Sequence, residues 1–140
     1  MNFFDTSVLV AAVSVQHVHH TSSLKVYLAA HKKQAACAAH SLAEVYSTLT
    51  RMPGRQRMEC DQALLLLDDI QRRIAAVALN AEEYYSAIAA AAAEGIGGGT
   101  IYDALIARCA LKVRATTIYT WNVDHFRRCG PEVAKRVRTP

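Results

Sequence analysis

Short apolar runs alternate along the chain with longer segments whose apolar residues recur every three or four positions. The apolar runs 2–4, 34–39, 74–79 and 116–120 predict β-strands, the first of them buried. The periodic segments predict helices over 8–13, 21–33, 40–52, 61–73, 80–94, from 100 onward and over 123–129. Strands that alternate with helices are typical of a parallel sheet covered on both faces. We therefore expect a three-layer α/β/α fold with a central parallel sheet of four to five strands.

Four acidic residues lie beside the carboxyl ends of these predicted strands or in the early turns of helices. Asp5 directly follows the first strand, and Asp124 lies shortly after the last one. Glu44 and Asp103 lie in two of the predicted helices. Carboxylates gathered at one end of a parallel sheet repel one another by about 1–4 kcal/mol per pair at 4 Å, and a divalent cation usually offsets that repulsion. The four acids therefore predict a metal site suited to phosphoryl chemistry.

Each acid also has an ordinary structural interpretation. Asp5 would serve as the N-cap of the first helix, and Glu44 would be a surface glutamate. Asp103 would be the third-position acid of a capping box begun by Thr100. Asp124 would be a turn residue. No acid is decisive by itself, and the inference rests on the four together.

The composition is that of a globular protein, with 52% hydrophobic and 20% charged residues. At 140 residues we expect a single domain, residues 1–140. The longest apolar run, 87–93, is too short to span a bilayer, and Asp5 interrupts the first apolar stretch. We therefore expect no membrane segment and no secretory signal. Four cysteines without a C-x-x-C pair predict reduced core thiols in a cytoplasmic protein.

Charge is distributed unevenly along the chain. Residues 1–107 carry eight Lys or Arg against ten acids, whereas residues 108–140 carry eight against two. A basic terminal third beside an acidic cluster suits a polyanionic substrate. The alternative is a solvated helix face followed by a basic tail.

Four segments match the pattern of a known family in order and across essentially the whole chain. They are FFDTSVLVAAV, SLAEVYSTLTRMPG, GGGTIYDALIARCA and IYTWNVDHF. The chain resembles the PIN-domain family, and within it the VapC-type toxins of bacterial toxin–antitoxin pairs. The resemblance implies a PIN-like fold and an endoribonuclease that uses Mg²⁺ or Mn²⁺ to activate water. It also implies an RNA substrate of the tRNA or rRNA class, a VapB-type antitoxin partner and a homodimer.

The resemblance also implies roles for particular residues. Asp5 and Asp103 would be direct metal ligands, and Glu44 would hold a metal-bound water or orient the nucleophile. Ser7 is placed to hydrogen-bond a carboxylate or the scissile phosphate. In many relatives the last acid stands at the position that Asn122 occupies here. The fourth position of the centre is therefore either Asn122 or Asp124.

Weaker candidates concern binding of the RNA. The basic residues expected to follow its backbone are Arg108, Lys112, Arg114, Arg127 and Arg128. Tyr102 and Trp121 are candidates for base stacking, whereas core packing is the favoured interpretation of Tyr119. His17, His19 and His20 resemble a metal-binding cluster, but the favoured interpretation is a loop that leads into a helix.

Three alternative functions remain open at this point. A PIN-type module could bind RNA without cutting it. An aspartate-based phosphatase of the haloacid-dehalogenase type would need a second acid two residues after Asp5, where this chain has Ser7. A receiver module would need paired acids after the first strand, and Asp5 is followed by Thr6.

Overall fold

The computed structural model describes all 140 residues, arranged as five strands and eight helices. The strands are β1 Asn2–Phe4, β2 Ala35–Ala38, β3 Ala75–Val77, β4 Thr117–Tyr119 and β5 Val137–Arg138. The helices are α1 Thr6–Val13, α2 His20–Leu28, α3 Ala39–Arg51, α4 Cys60–Arg73, α5 Ala81–Ala93, α6 Thr100–Lys112, α7 Val123–Arg128 and α8 Pro131–Ala134. A 3-10 helix, Gly54–Gln56, joins α3 to α4.

All five strands form one parallel sheet in the order β3-β2-β1-β4-β5. The central strand β1 pairs on both sides, with Phe4 opposite Cys37 on one neighbour and opposite Tyr119 on the other. The predicted three-layer α/β/α fold with four to five parallel strands is confirmed. Its carboxyl edge carries Asp5 at the centre, with the ends of β2 and β4 on either side.

Successive residues of the strands face two separate hydrophobic cores, because side chains alternate across a sheet. Phe4 and Cys37 pack with α1, α2, α3 and α4 in one core, in which Val8, Leu9, Val45, Leu49 and Ile70 are fully buried. Phe3 and Ala36 face the second core, formed with α6, α7 and α8. Helices on both faces leave the loops beyond the strand ends as the place for a site.

Local sequence accounts for several helix boundaries. Asp5 caps α1, since its side chain accepts a hydrogen bond from the Ser7 backbone N–H. Asn80 caps α5 in a reciprocal capping box with Glu83. Gly95 follows the C-cap of the same helix, and its φ of 69° favours glycine. Its neighbour Ile96 then donates to the Ala91 carbonyl and packs against the protein.

Three sequence expectations about structural elements were wrong. Helix α2 ends at Leu28 rather than at 33, because the chain turns there before it enters β2. The basic tail contains α8 and β5, which extends the sheet and buries Val137. Cys60 is exposed at the start of α4, so it is not a core thiol, although Cys37 and Cys109 are buried. None of the helices is long and apolar enough to cross a membrane.

Candidate active site

A cleft of about 940 Å³ lies beyond the carboxyl ends of the central strands. Its walls come from the segments that follow β1, β2 and β4, together with the first turn of α6. The predicted centre residues that line it are Asp5, Ser7, Glu44, Asp103 and Asn122. The fold therefore brings together side chains that are far apart in the sequence.

Asp5 lies at the floor of the cleft and is 1% exposed. Its Oδ2 accepts hydrogen bonds from Ser7 Oγ at 2.6 Å and from Thr120 Oγ1 at 2.7 Å. Its Oδ1 is buried and has no hydrogen-bond partner. Burial raises the pKa of Asp5 to about 6, the Asp103 charge acts in the same direction, and the two hydroxyls oppose the rise.

Hydroxyl groups tie the segment after β4 to the segment after β1. Trp121 N–H donates to Ser7 Oγ at 2.9 Å, and Asn122 N–H donates to Thr120 Oγ1 at 2.9 Å. Thr120 is fully buried, and the sequence analysis did not assign it a role. The network fixes one oxygen of Asp5 and leaves the other free for a ligand.

Asp103 lies in the first turn of α6 with a mostly buried side chain. His125 on α7 places its Nδ1 2.8 Å from Asp103 Oδ2. Burial raises the pKa of Asp103, and the contact with His125 opposes that rise. The capping-box interpretation is wrong, because the N-cap of α6 is Gly99 and no side-chain cap bond is made.

Glu44 is held from two sides on the cleft-facing surface of α3. Thr6 Oγ1 donates to its Oε2, and His40 Nε2 lies 3.5 Å from its Oε1. Because Glu44 lines the cleft with Asp5 and Asp103, it is not an ordinary surface glutamate. Neither Thr6 nor His40 was singled out from the sequence, although His40 lies one helical turn before Glu44.

Comparison with known proteins places this arrangement in a family. A model of the PIN domain matches residues 3–130. This chain belongs to the PIN domain family. Ribonuclease VapC27 of Mycobacterium tuberculosis is 36% identical over 112 residues, which cover 79% of this chain and 77% of that protein. The predicted resemblance to VapC-type toxins is confirmed, and the phosphatase and receiver alternatives lose their support.

Solved structures show the same fold. VapC20 of M. tuberculosis, described as a sarcin-ricin loop cleaving toxin, has a TM-score of 0.71 at 16% identity and covers 89% of this chain and 92% of that one. VapBC2 from Rickettsia felis, solved with a DNA fragment from its promoter, has a TM-score of 0.68 at 20% identity. The match covers 99% of this chain and 98% of that one. VapBC-1 from nontypeable Haemophilus influenzae has a TM-score of 0.65 at 16% identity. The match covers 99% of this chain and 96% of that one.

The two candidates for the fourth position of the PIN centre lie in different places. Asn122 lines the cleft, immediately before α7. Asp124 is exposed in the first turn of α7 and is not among the residues that line the cleft. The prediction that Asp124 reaches in from the next turn therefore finds no support in the geometry, because the helix turns its side chain to solvent.

The basic residues predicted to follow the RNA backbone do not line the cleft. Arg108 is exposed and borders a groove between α5 and α6. Arg127 and Arg128 end α7 and are also exposed. The one Lys or Arg side chain that lines the cleft is Arg51, at the end of α3. It was missed because the charge excess points to the other end of the chain.

Two histidines before α2 also line the cleft, and the spacing of the possible metal ligands can be judged from the whole structure. His17 and His19 line it from the loop before α2, as expected of a loop that leads into a helix. No group of three Asp, Glu, His or Cys side chains is gathered closely enough to form a metal cage by itself. Mg²⁺ sites in proteins often use only one or two carboxylates, together with waters and substrate phosphate.

Proposed function

We propose that this PIN domain is a divalent-metal-dependent endoribonuclease, the toxin of a toxin–antitoxin pair, which hydrolyses RNA phosphodiester bonds. The observation that carries the proposal is the buried, unpartnered Oδ1 of Asp5 in a cleft shared with Asp103 and Glu44. A buried carboxylate oxygen without a donor is costly, and a cation would remove that cost. VapC27, the curated relative, carries the name ribonuclease.

The residues present fit Mg²⁺ or Mn²⁺. Both ions prefer carboxylate oxygens. Burial raises the pKa of Asp5 and of Asp103, and a bound cation would favour the charged form of both. Asp5 and Asp103 would hold the ion directly, with Asn122 completing the centre through its carbonyl or a water. The bound ion would supply an acidified water and stabilise charge on the phosphoryl oxygens.

The chain's own groups would position the reactants. Thr6 and His40 hold the Glu44 carboxylate, which would orient the attacking water or accept its proton. Ser7 and Thr120 both donate hydrogen bonds to Oδ2 of Asp5, whereas Oδ1 has no hydrogen-bond donor and would be open to the ion. Arg127 and Arg128 follow His125 on α7 and would contact RNA phosphates beyond the cleft.

We further propose an antitoxin partner, an oligomeric state, a cellular location and a class of RNA substrate. The R. felis and H. influenzae neighbours are VapBC proteins, which supports a VapB-type antitoxin that covers the acidic cleft. A homodimer, a cytoplasmic location and a tRNA or rRNA substrate complete the proposal. VapC20, described as cutting the sarcin-ricin loop, supports structured RNA with an exposed loop as the substrate class.

Cleavage of a purified RNA tests the activity. Wild type should cut in Mg²⁺ or Mn²⁺ and stop when a chelator is added. Asp5→Asn and Asp103→Asn should lose at least about 100-fold in rate, because each removes a charge that holds the ion. Glu44→Gln should lose about 10²- to 10⁴-fold, the usual contribution of a general base.

The control is Asp68→Asn, which changes an exposed aspartate of α4 outside the cleft and should leave the rate unchanged. Equal cutting by wild type and Asp103→Asn, with no response to chelator, would refute the assignment. Binding of RNA without any cutting under these conditions would favour the non-cleaving alternative.

A further inference from the structure

Two stacked pairs of rings border the acidic cleft. The His19 ring lies on Trp121 with centroids 3.6 Å apart and planes 8° from parallel. The His40 ring lies on Tyr102 with centroids 5.1 Å apart and planes at 12°. All four residues line the cleft. Neither pairing is readable from the sequence, because the partners come from segments far apart in the chain.

The two pairs lie on opposite sides of Asp5. In the sheet, β2 and β4 are the two neighbours of β1, at whose end Asp5 lies. His40 is the second residue of α3, which directly follows β2, whereas Trp121 lies two residues beyond β4. The acidic centre is therefore flanked by one aromatic pair on each side.

Each pair is also held in place relative to the acids. The Trp121 backbone N–H donates to Ser7 Oγ, which in turn donates to Asp5. The indole Nε1 donates to the buried Ser23 Oγ at 2.9 Å, which orients the ring. On the other side, His40 contacts Glu44, and Tyr102 directly precedes Asp103. These contacts hold each ring in a fixed place relative to the acids.

Core packing accounts for Trp121 in part, because Trp121 packs against the core that contains Phe4, but it does not account for Tyr102. Tyr102 is 46% exposed despite its size. Tyr119, in contrast, packs on Phe4 in the core, with ring centroids 5.5 Å apart, as the sequence analysis favoured. Phosphate contacts inside the cleft are few, since Arg51 supplies its only Lys or Arg side chain. The exposed Tyr102 ring is therefore a surface beside the acids that core packing does not use.

We propose that the two aromatic pairs are base-stacking subsites that hold the nucleotides on either side of the scissile phosphate. The inference rests on the proposed function, because the phosphate between the two bases must lie at the acids. Every base has a π-face that stacks on aromatic side chains. Bases in a duplex are stacked on each other, whereas unpaired loops can splay their bases outward.

Trp121 is the only tryptophan of the chain, so its fluorescence reports directly on one subsite. The probe is a short single-stranded RNA, titrated in Mg²⁺ into the Glu44→Gln variant so that it is not consumed. We expect saturable quenching by this RNA, and little by the same RNA in a duplex or by an abasic ribose-phosphate strand of equal length.

Substitutions test the second subsite in the same assay. Tyr102→Ala should raise the Kd of the single strand by roughly 5- to 150-fold, the range for loss of one stacked base. Tyr102→Phe, which keeps the ring, should restore binding. Tyr85→Ala is the matched control, because Tyr85 is 75% exposed and lies outside the cleft. It should leave the Kd unchanged.

The outcomes separate this inference from the proposed function. If wild type cuts RNA while duplex and abasic strands quench Trp121 as well as the single strand does, the stacking proposal is wrong and the nuclease stands. The same holds if Tyr102→Ala binds the single strand as tightly as Tyr85→Ala. If wild type neither binds this single strand nor cuts the purified RNA of the cleavage assay, both proposals fail.

Discussion

Asp5 illustrates how one residue serves the fold and the chemistry with different oxygens. Its Oδ2 caps α1 and accepts the Ser7 and Thr120 hydroxyls, while its Oδ1 remains unpartnered. The sequence predicted Asp5, Glu44 and Asp103 at the centre because each stands in a local motif. It did not predict Thr120, His125 or His40, because their contacts join segments that only the folded chain brings together.

The raised pKa of Asp5 has a consequence for stability without metal. The folded carboxyl loses its proton at about pH 6, whereas an unfolded one loses it near the ordinary 3.8. Stability should therefore fall as the pH rises from about 4 to 6 and stay reduced above that, by up to about 3 kcal/mol. Asp5→Asn should lack this loss. The difference between the two unfolding free energies, measured in chelator from pH 4 to 7.5, isolates the effect, and a difference independent of pH would contradict it.

Two single substitutions can show whether Asn122 or Asp124 is the fourth residue of the proposed metal centre. Asn122 lines the cleft and Asp124 does not, so Asn122→Ala should weaken Mn²⁺ binding by roughly tenfold. Asp124→Ala should leave the Kd for Mn²⁺ within about twofold of wild type. The pair of titrations is its own control, since both residues lie in the same short segment. The reverse order of effects would return the role to Asp124.

At the scale of elements, tertiary contacts determine the end of α2 and the presence of β5, which local sequence patterns did not predict. The apolar and polar pattern located β1 to β4 and most helices, but it continued α2 beyond Leu28, where the chain turns into β2. It missed β5 because a two-residue strand has too few positions to show alternation. That strand is stabilised by pairing with Tyr119 and Ile118 of β4, which no local signal reveals.

One side-chain cluster joins α2 to α4 and can be tested by itself. Tyr27 Oη donates to Asp69 Oδ2 at 2.6 Å, and Arg73 Nε lies 3.1 Å from the same oxygen. The Tyr27 hydrogen bond, followed by Arg73, holds the pKa of Asp69 below its ordinary value. Such a carboxylate stabilises the fold at neutral pH and ceases to do so as the pH falls through its lowered pKa.

Tyr27→Phe should therefore cost about 1 kcal/mol of unfolding free energy at pH 7, a value reduced because Asp69 is partly exposed. The cost should shrink in acid, once Asp69 is protonated. Chemical denaturation at pH 7 and pH 2 measures both values. Tyr85→Phe, at an exposed tyrosine, provides the baseline. A cost that is the same at both pH values would show that the carboxylate is not involved.

For the whole molecule, the distribution of charge is less simple than the sequence suggested. Part of the basic last third is neutralised within the fold, since Lys112 pairs with Glu83, and Lys135 and Arg136 pair with Glu132. None of its basic residues lines the cleft. The acidic centre therefore has no nearby lysine or arginine that could replace a metal ion, apart from Arg51 at its rim.

Calorimetric titration of Mn²⁺ into the metal-free protein tests the central claim, that the cleft captures a divalent cation through Asp5 after β1, Glu44 of α3 and Asp103 of α6. The account predicts saturable binding that weakens by roughly tenfold or more in Asp5→Asn and in Asp103→Asn, and that persists in Asp68→Asn. Binding should also weaken from pH 7 to pH 5, because Asp5 takes up a proton at about pH 6. Equal Mn²⁺ affinity in wild type, Asp5→Asn and Asp103→Asn would contradict the account.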